Sequence, residues 1–137
     1  MGVKDIVSYL SLTVNEFDVD AFSQICNKGI IYLRQQQKEY AIKNCKYRRI
    51  SVFEAIREQM KYVEYKYRDR ADIFADVINR VASANSYDAI NIILNEGYRS
   101  YIEEKHLDTN KIDILLMLAK QEPDIPKFLS RLKELEK

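Results

Sequence analysis

The stretch Val3-Lys4-Asp5-Ile6-Val7-Ser8-Tyr9-Leu10-Ser11-Leu12-Thr13-Val14 sets Val3, Ile6, Val7, Leu10 and Val14 at intervals of three and four residues. On a 3.6-residue period that spacing makes one apolar stripe, so the chain opens with an amphipathic helix that ends near Asn15. The same period returns in Val52, Phe53, Ile56, Met60, Val63 and Tyr67, and again in Phe74, Val77, Ile78 and Val81. Ala89, Ile90, Ile93 and Leu94, then Ile112, Leu115, Leu116 and Ala119, and finally Phe128, Leu129, Leu132 and Leu135 continue it. No period-2 run interrupts the series, and no self-similarity appears at periods of roughly 20 to 50 residues. The expected fold is all-α, an irregular bundle of about seven to nine helices.

Punctuation between the stripes is sparse. Asp18 is placed to cap a short helix with Ala21, Phe22 and Ile25 inward, because its carboxylate can accept unpaired N–H groups of the first turn. Asn27 to Tyr32 reads as a loop broken at Lys28-Gly29, before a polar helix that starts near Leu33 and runs through Tyr40 and Ala41. A basic stretch, Lys43 to Arg49, follows and leads into the Val52 helix. Ser86 is expected to cap the next helix but one, Gly97 to supply a left-handed C-cap, and Asp124 with Pro126 to start the last helix.

The 137 residues suit a single helical domain over 3–137, with Met1-Gly2 outside it. A chain of this length buries roughly 68% of the surface its unfolded form exposes. Its 47% hydrophobic and 31% charged residues fall in the globular range, which argues against disorder. Cys26 and Cys45 lack a CxxC spacing, and His106 is the sole histidine, so free thiols in a reducing, cytoplasmic setting are expected. No charged and then apolar leader follows Met1, and no apolar run approaches the ~20 residues of a membrane span, so no membrane partner is expected.

Catalytic chemistry finds no foothold. With glycines only at positions 2, 29 and 97, no phosphate-cradling loop can be assembled, and neither catalytic, cofactor-binding nor metal-binding residues are expected. His106 lies among Glu103, Glu104, Lys105 and Asp108 without a nucleophile partner, which reads as a surface histidine. Glu103 and Glu104 are adjacent on a helix and diverge, so a cation site lacks its other ligands.

Charge is more informative. The net charge of +1 conceals twelve Lys and Arg against five Asp and Glu over residues 28–70, while 1–27 and 71–137 each sum to −3. A segment so basic is either an electrostatic footprint for phosphates or a solvated helix face.

The run Lys4 to Leu12, followed by Val14-Asn15 and Asp18-Val19-Asp20-Ala21-Phe22, resembles the start of the accessory 2B subdomain inserted in UvrD/PcrA/Rep-type superfamily 1 DNA helicases. There the pattern is Lys-Asp-x-x-x-Tyr-Leu-x-Leu, then Asn-x-x-Asp, then a helix-opening Phe. Ile92-Ile93-Leu94, Gly97-Tyr98, Tyr101-Ile102 and the span from Asp124 to Leu135 resemble later parts of it more generically. The resemblance implies a non-catalytic, regulatory subdomain of a 3′-to-5′ ATP-dependent helicase of the DNA-repair type. ATP and magnesium would belong to the parent motor. Duplex DNA and the parent's 1A, 1B and 2A domains would be the partners, with hinges near Lys4 and Lys137 permitting an open-to-closed rotation.

In that family the loop after the second helix meets duplex DNA and reads Thr-Pro-x-Arg-Gly-Ile-Gly or Lys-Pro-x-Arg-Tyr-Ile. Here it reads Asn27-Lys28-Gly29-Ile30-Ile31-Tyr32-Leu33-Arg34, with Gly29 for the proline, Ile31 for the arginine and no Gly-Ile-Gly. By resemblance, Lys28, Tyr32 and Arg34 become candidate phosphate contacts, joined by Lys43, Lys46, Arg48 and Arg49 with Tyr47 interleaved. Such contacts position a duplex without reading its sequence. The competing use of these side chains is solvation, with Glu39, Glu54 and Glu58 as partners. Tyr62, Tyr65 and Tyr67 serve either for stacking on bases or, as their scattered spacing favours, for packing. A freestanding helical protein-interaction module is the alternative function and predicts an exposed apolar groove.

Overall fold

The apolar stripe that opens the chain becomes α1 (Gly2–Val14), the axis of the bundle in a computed structural model that describes residues 2–62 and 69–135. Ile6, Tyr9, Leu10 and Leu12 are buried, and α2 (Val19–Ile25), α5 (Arg70–Ala82), α6 (Ser86–Ile93), α8 (Asn110–Gln121) and α9 (Ile125–Leu135) all pack against this helix. The described residues form an irregular all-α bundle, as the periodicity predicts. Among them no helix is long and apolar enough to cross a membrane.

Local chemistry sets the helix starts. Asp18 caps α2 by accepting the Ala21 N–H at 3.0 Å, as its position before Phe22 predicts. Ser51 caps α4 (Val52–Gln59) through Glu54 N–H, and Asp124 accepts the Lys127 N–H at the start of α9. The α6 start departs from expectation: Asn85 is the cap, accepting the Asp88 N–H at 2.8 Å. Ser86 sits one residue inside the helix, fully buried, its N–H bonded to Pro123 C=O at 2.9 Å.

Three boundaries also shift. α3 runs from Gln35 to Arg48, so the basic stretch lies within the helix and its last turn rather than after it. α4 stops at Gln59 and tightens into a 3₁₀ turn over Met60–Tyr62, whereas the stripe predicts a longer helix; Val63, Tyr65 and Tyr67 lie outside the described residues. Gly97 has the positive φ (+155°) that its glycine suits, but it ends nothing: it kinks a π-helical segment, Leu94–Tyr98, that joins α6 to α7 (Arg99–Lys105). The left-handed residue ending α7 is His106 (φ 54°), exposed in the polar turn where the sequence places it.

The α3–α4 hairpin stands on the flank of this assembly, with α4 against α5 and the start of the hairpin near α2. It contributes little apolar area from α3, where only Ala41 and Cys45 are buried, and much from α4 through Val52, Ala55 and Ile56.

Candidate nucleic-acid interface

The loop from Cys26 to Arg34 is anchored from behind. Asp5, 1% exposed on α1, accepts from Gln24 Nε2 at 2.6 Å, Lys28 Nζ at 3.0 Å and the Tyr98 hydroxyl at 2.5 Å. Three donors satisfy a carboxylate that would otherwise be costly to bury. Tyr9 OH donates to Lys28 C=O at 2.6 Å, and the Tyr9 and Tyr98 rings meet edge to face at 6.0 Å. Burial raises both phenols above their ordinary pKa, and for Tyr98 its hydrogen bond to the Asp5 carboxylate adds to the rise.

A second clamp is backbone on backbone. A Cβ added at Gly97 would lie 2.7 Å from Gly29 C=O oxygen, and one at Gly29 would lie 2.9 Å from the Gly97 carbonyl carbon. Both residues have positive φ, +112° at Gly29 and +155° at Gly97, so glycine serves the turn and the close approach together. Leu33 N–H closes the loop onto Asn27 Oδ1 at 2.8 Å.

Beyond this anchor the chain is extended, and alternate residues point opposite ways. Ile31 and Leu33 are buried, whereas Tyr32, 60% exposed, and Arg34 face outward. The three loop candidates therefore separate. Tyr32 and Arg34 are presented at the surface. Lys28 turns inward to Asp5 and holds the loop in place, a role fixed by a partner 23 residues upstream that no local pattern marks.

The second group of candidates divides as well. Arg48 reaches back to α4 and makes a two-pronged bond with Glu58, at 2.8 and 2.7 Å. Lys43 and Lys46 lie on the α3 face opposite Ala41 and are exposed, and Arg49 ends the helix in a left-handed conformation (φ 55°). Among the described residues none of these three is within ion-pairing distance of a carboxylate. The charge of Lys46 and Arg49 partly offsets the negative end of the α3 dipole. Tyr40 and Tyr47 flank the lysine face, seven residues apart and both exposed. From Cys26 to Arg49 the sequence has seven Lys and Arg against one acidic residue, Glu39, which bonds Gln35. Arg34 and Arg49 lie about 20 Å apart along the helix axis, given its rise per residue.

Beside that face, α3 borders an open cleft of about 470 Å³, shared with Gln59 and Tyr62 at the end of the α4 segment. Gln36, Gln37, Tyr40 and Asn44 supply the α3 wall, with Arg34 just before the helix. The sequence gives no warning of this cleft, because Gln37, Asn44 and Gln59 read as ordinary polar helix positions. Among the described residues no three His, Cys, Asp or Glu side chains gather as metal ligands.

Comparison with known proteins gives no match to the chain, whether among protein families, curated proteins or solved structures.

Proposed function

We propose that this chain is a non-catalytic accessory subdomain, of the UvrD/PcrA/Rep 2B type, that docks duplex DNA for a parent 3′-to-5′ helicase. The observation that carries the docking is α3. A 14-residue helix that gives the core only Ala41 and Cys45, yet presents Lys43, Lys46 and Arg49 without acidic partners among the described residues, has its surface rather than its interior as its use. Arg34 and Tyr32 extend that surface at its far end.

The helicase parentage rests on the resemblance, and the positions of the resembling residues support it. Asp5, Tyr9, Phe22, Gly97 and Tyr98 are buried or form the loop clamp, so the motif belongs to the part that holds the loop and α3 in place. ATP and magnesium would act in the parent motor, with domains 1A, 1B and 2A as intramolecular partners. Two free cysteines accord with a cytoplasmic setting.

The docking is tested by fluorescence anisotropy of fork DNA across a salt series. Replacing Lys43, Lys46 and Arg49 by alanine lowers the log–log salt slope by about 0.9 for each phosphate that is no longer neutralised. An unchanged slope rejects α3 as the docking face. The parentage is tested by the reading frame: one that encodes this chain without a phosphate-loop motor rejects it.

A second reading, a protein-interaction module, draws on Ile114 and Met117 of α8 and Leu135 of α9, all largely exposed. It predicts partner binding that is indifferent to DNA and abolished by Ile114→Glu with Met117→Glu.

A further inference from the structure

We infer that the cleft between α3 and the end of the α4 segment receives one unpaired nucleotide. The inference rests on the reading of α3 as a nucleic-acid-facing helix and names a second ligand form beside the duplex.

The cleft is built from the groups that an unpaired nucleotide requires. Tyr40 and Tyr62 border it from opposite walls, 50% and 80% exposed, and among the described residues neither ring packs on another aromatic ring. Exposed tyrosines of this kind offer a stacking face to any free base, one that a base still stacked in a duplex cannot use. Between them Asn44 and Gln59 line the wall, and among the described residues no hydrogen bond engages either amide. A carboxamide presents a donor beside an acceptor, which is the pattern a base edge complements.

Phosphate has its own place at the cleft mouth. Arg34 lines it, and the α3 N-terminus begins at the next residue, with Gln37 Oε1 already occupied by the Arg34 N–H at 3.0 Å. Among the described residues no Asp or Glu lines the cleft, so an anionic strand meets no repulsion from them there. The same lining disfavours a peptide anchor, because among the described residues no aliphatic side chain forms the walls. The volume, about 470 Å³, is within the usual range of small-ligand sites, roughly 300 to 1,000 Å³.

The probes are a fluorescent oligothymidine, the same strand with abasic positions, a blunt duplex of equal length and free thymidine monophosphate as competitor. The abasic strand keeps every phosphate and lacks the base. The oligothymidine is expected to bind about ten-fold more tightly than the abasic strand, a stacking-sized difference. Tyr40→Ala with Tyr62→Ala erases that ratio, and Tyr→Phe at both positions retains it. Asn44→Leu reduces the ratio and serves as the second variant, with circular dichroism melts checking each fold.

Equal binding of the two strands overturns the inference, as does a ratio that survives removal of both tyrosines. Competition by free monophosphate at the strand's own affinity removes the strand as ligand and leaves a free-nucleotide pocket. Lys43→Ala with Lys46→Ala separates the two claims, since it weakens duplex binding and leaves the strand-to-abasic ratio in place. A ratio without any duplex binding rejects the docking reading alone, whereas duplex binding without a ratio rejects the cleft alone.

Discussion

At the scale of single residues, Asp5 concentrates the energetics of the loop anchor. Removing one of its donors leaves a buried carboxylate under-satisfied, so Tyr98→Phe is expected to destabilise the fold by about 1 to 3 kcal/mol in urea denaturation. The pH dependence follows from the same phenols. Their folded pKa values are raised, so unfolded tyrosine, with a pKa near 10, gives up its proton first. The stability from Tyr9 and Tyr98 is therefore complete below about pH 10 and falls above it, by up to about 1.4 kcal/mol per pH unit for each tyrosine. Denaturation midpoints measured from pH 8 to 11 check this, and Tyr98→Phe should flatten the decline. At the glycine clamp, Gly97→Ala forces a Cβ toward the Gly29 carbonyl from a positive-φ backbone, and a destabilisation of about 2 to 4 kcal/mol is expected in the same urea melts. Legibility at this scale follows distance along the chain. Asp18 could be read as a cap because its partner is three residues away, whereas Lys28 could not be read as an anchor because Asp5 and Tyr98 stand far off in sequence.

At the scale of elements, α3 and α4 show where periodic reasoning succeeds and where it misses an edge. The α4 stripe is unmistakable, but its end is set by tightening into a 3₁₀ turn that no residue type announces. For α3 the weak stripe hid the fact that the basic stretch is helical. Its terminator, Arg49, is left-handed without being glycine or asparagine, so the usual stop signal is missing. Helicity then decides which cations can face a ligand, since it turns Arg48 toward Glu58 and Lys43 and Lys46 away from Ala41. Arg48→Ala should therefore lower stability by no more than about 1 kcal/mol, the worth of an exposed pair, and leave the salt slope of DNA binding intact. The lysine variants should behave the opposite way. Paired melts and salt titrations of the two sets separate a structural cation from a ligand-facing one.

At the scale of the whole molecule, the all-helical class was legible because the long helices α5, α8 and α9 carry their own stripes, and α1 could be recognised as amphipathic. That α1 would be surrounded by five other helices could not be read from it, because packing order is a property of the assembly. A cavity in that axis touches many neighbours, so Leu10→Ala is expected to cost about 2 to 5 kcal/mol by calorimetry or urea melts. Global integrity also has a chemical reporter. Burial raises the pKa of both Cys26 and Cys45, so a thiol reagent at pH 8 should leave the native chain unlabelled and label two thiols once urea unfolds it. The bond from Tyr98 to Asp5 has one more implication, and it concerns synthesis. Its partners are 93 residues apart, so at ribosomal speeds Asp5 is made roughly 5 to 20 seconds before Tyr98. Throughout that interval the first helix holds a carboxylate whose final hydroxyl donor does not yet exist, and the nascent N-terminal half must remain hydrated there until Tyr98 leaves the exit tunnel.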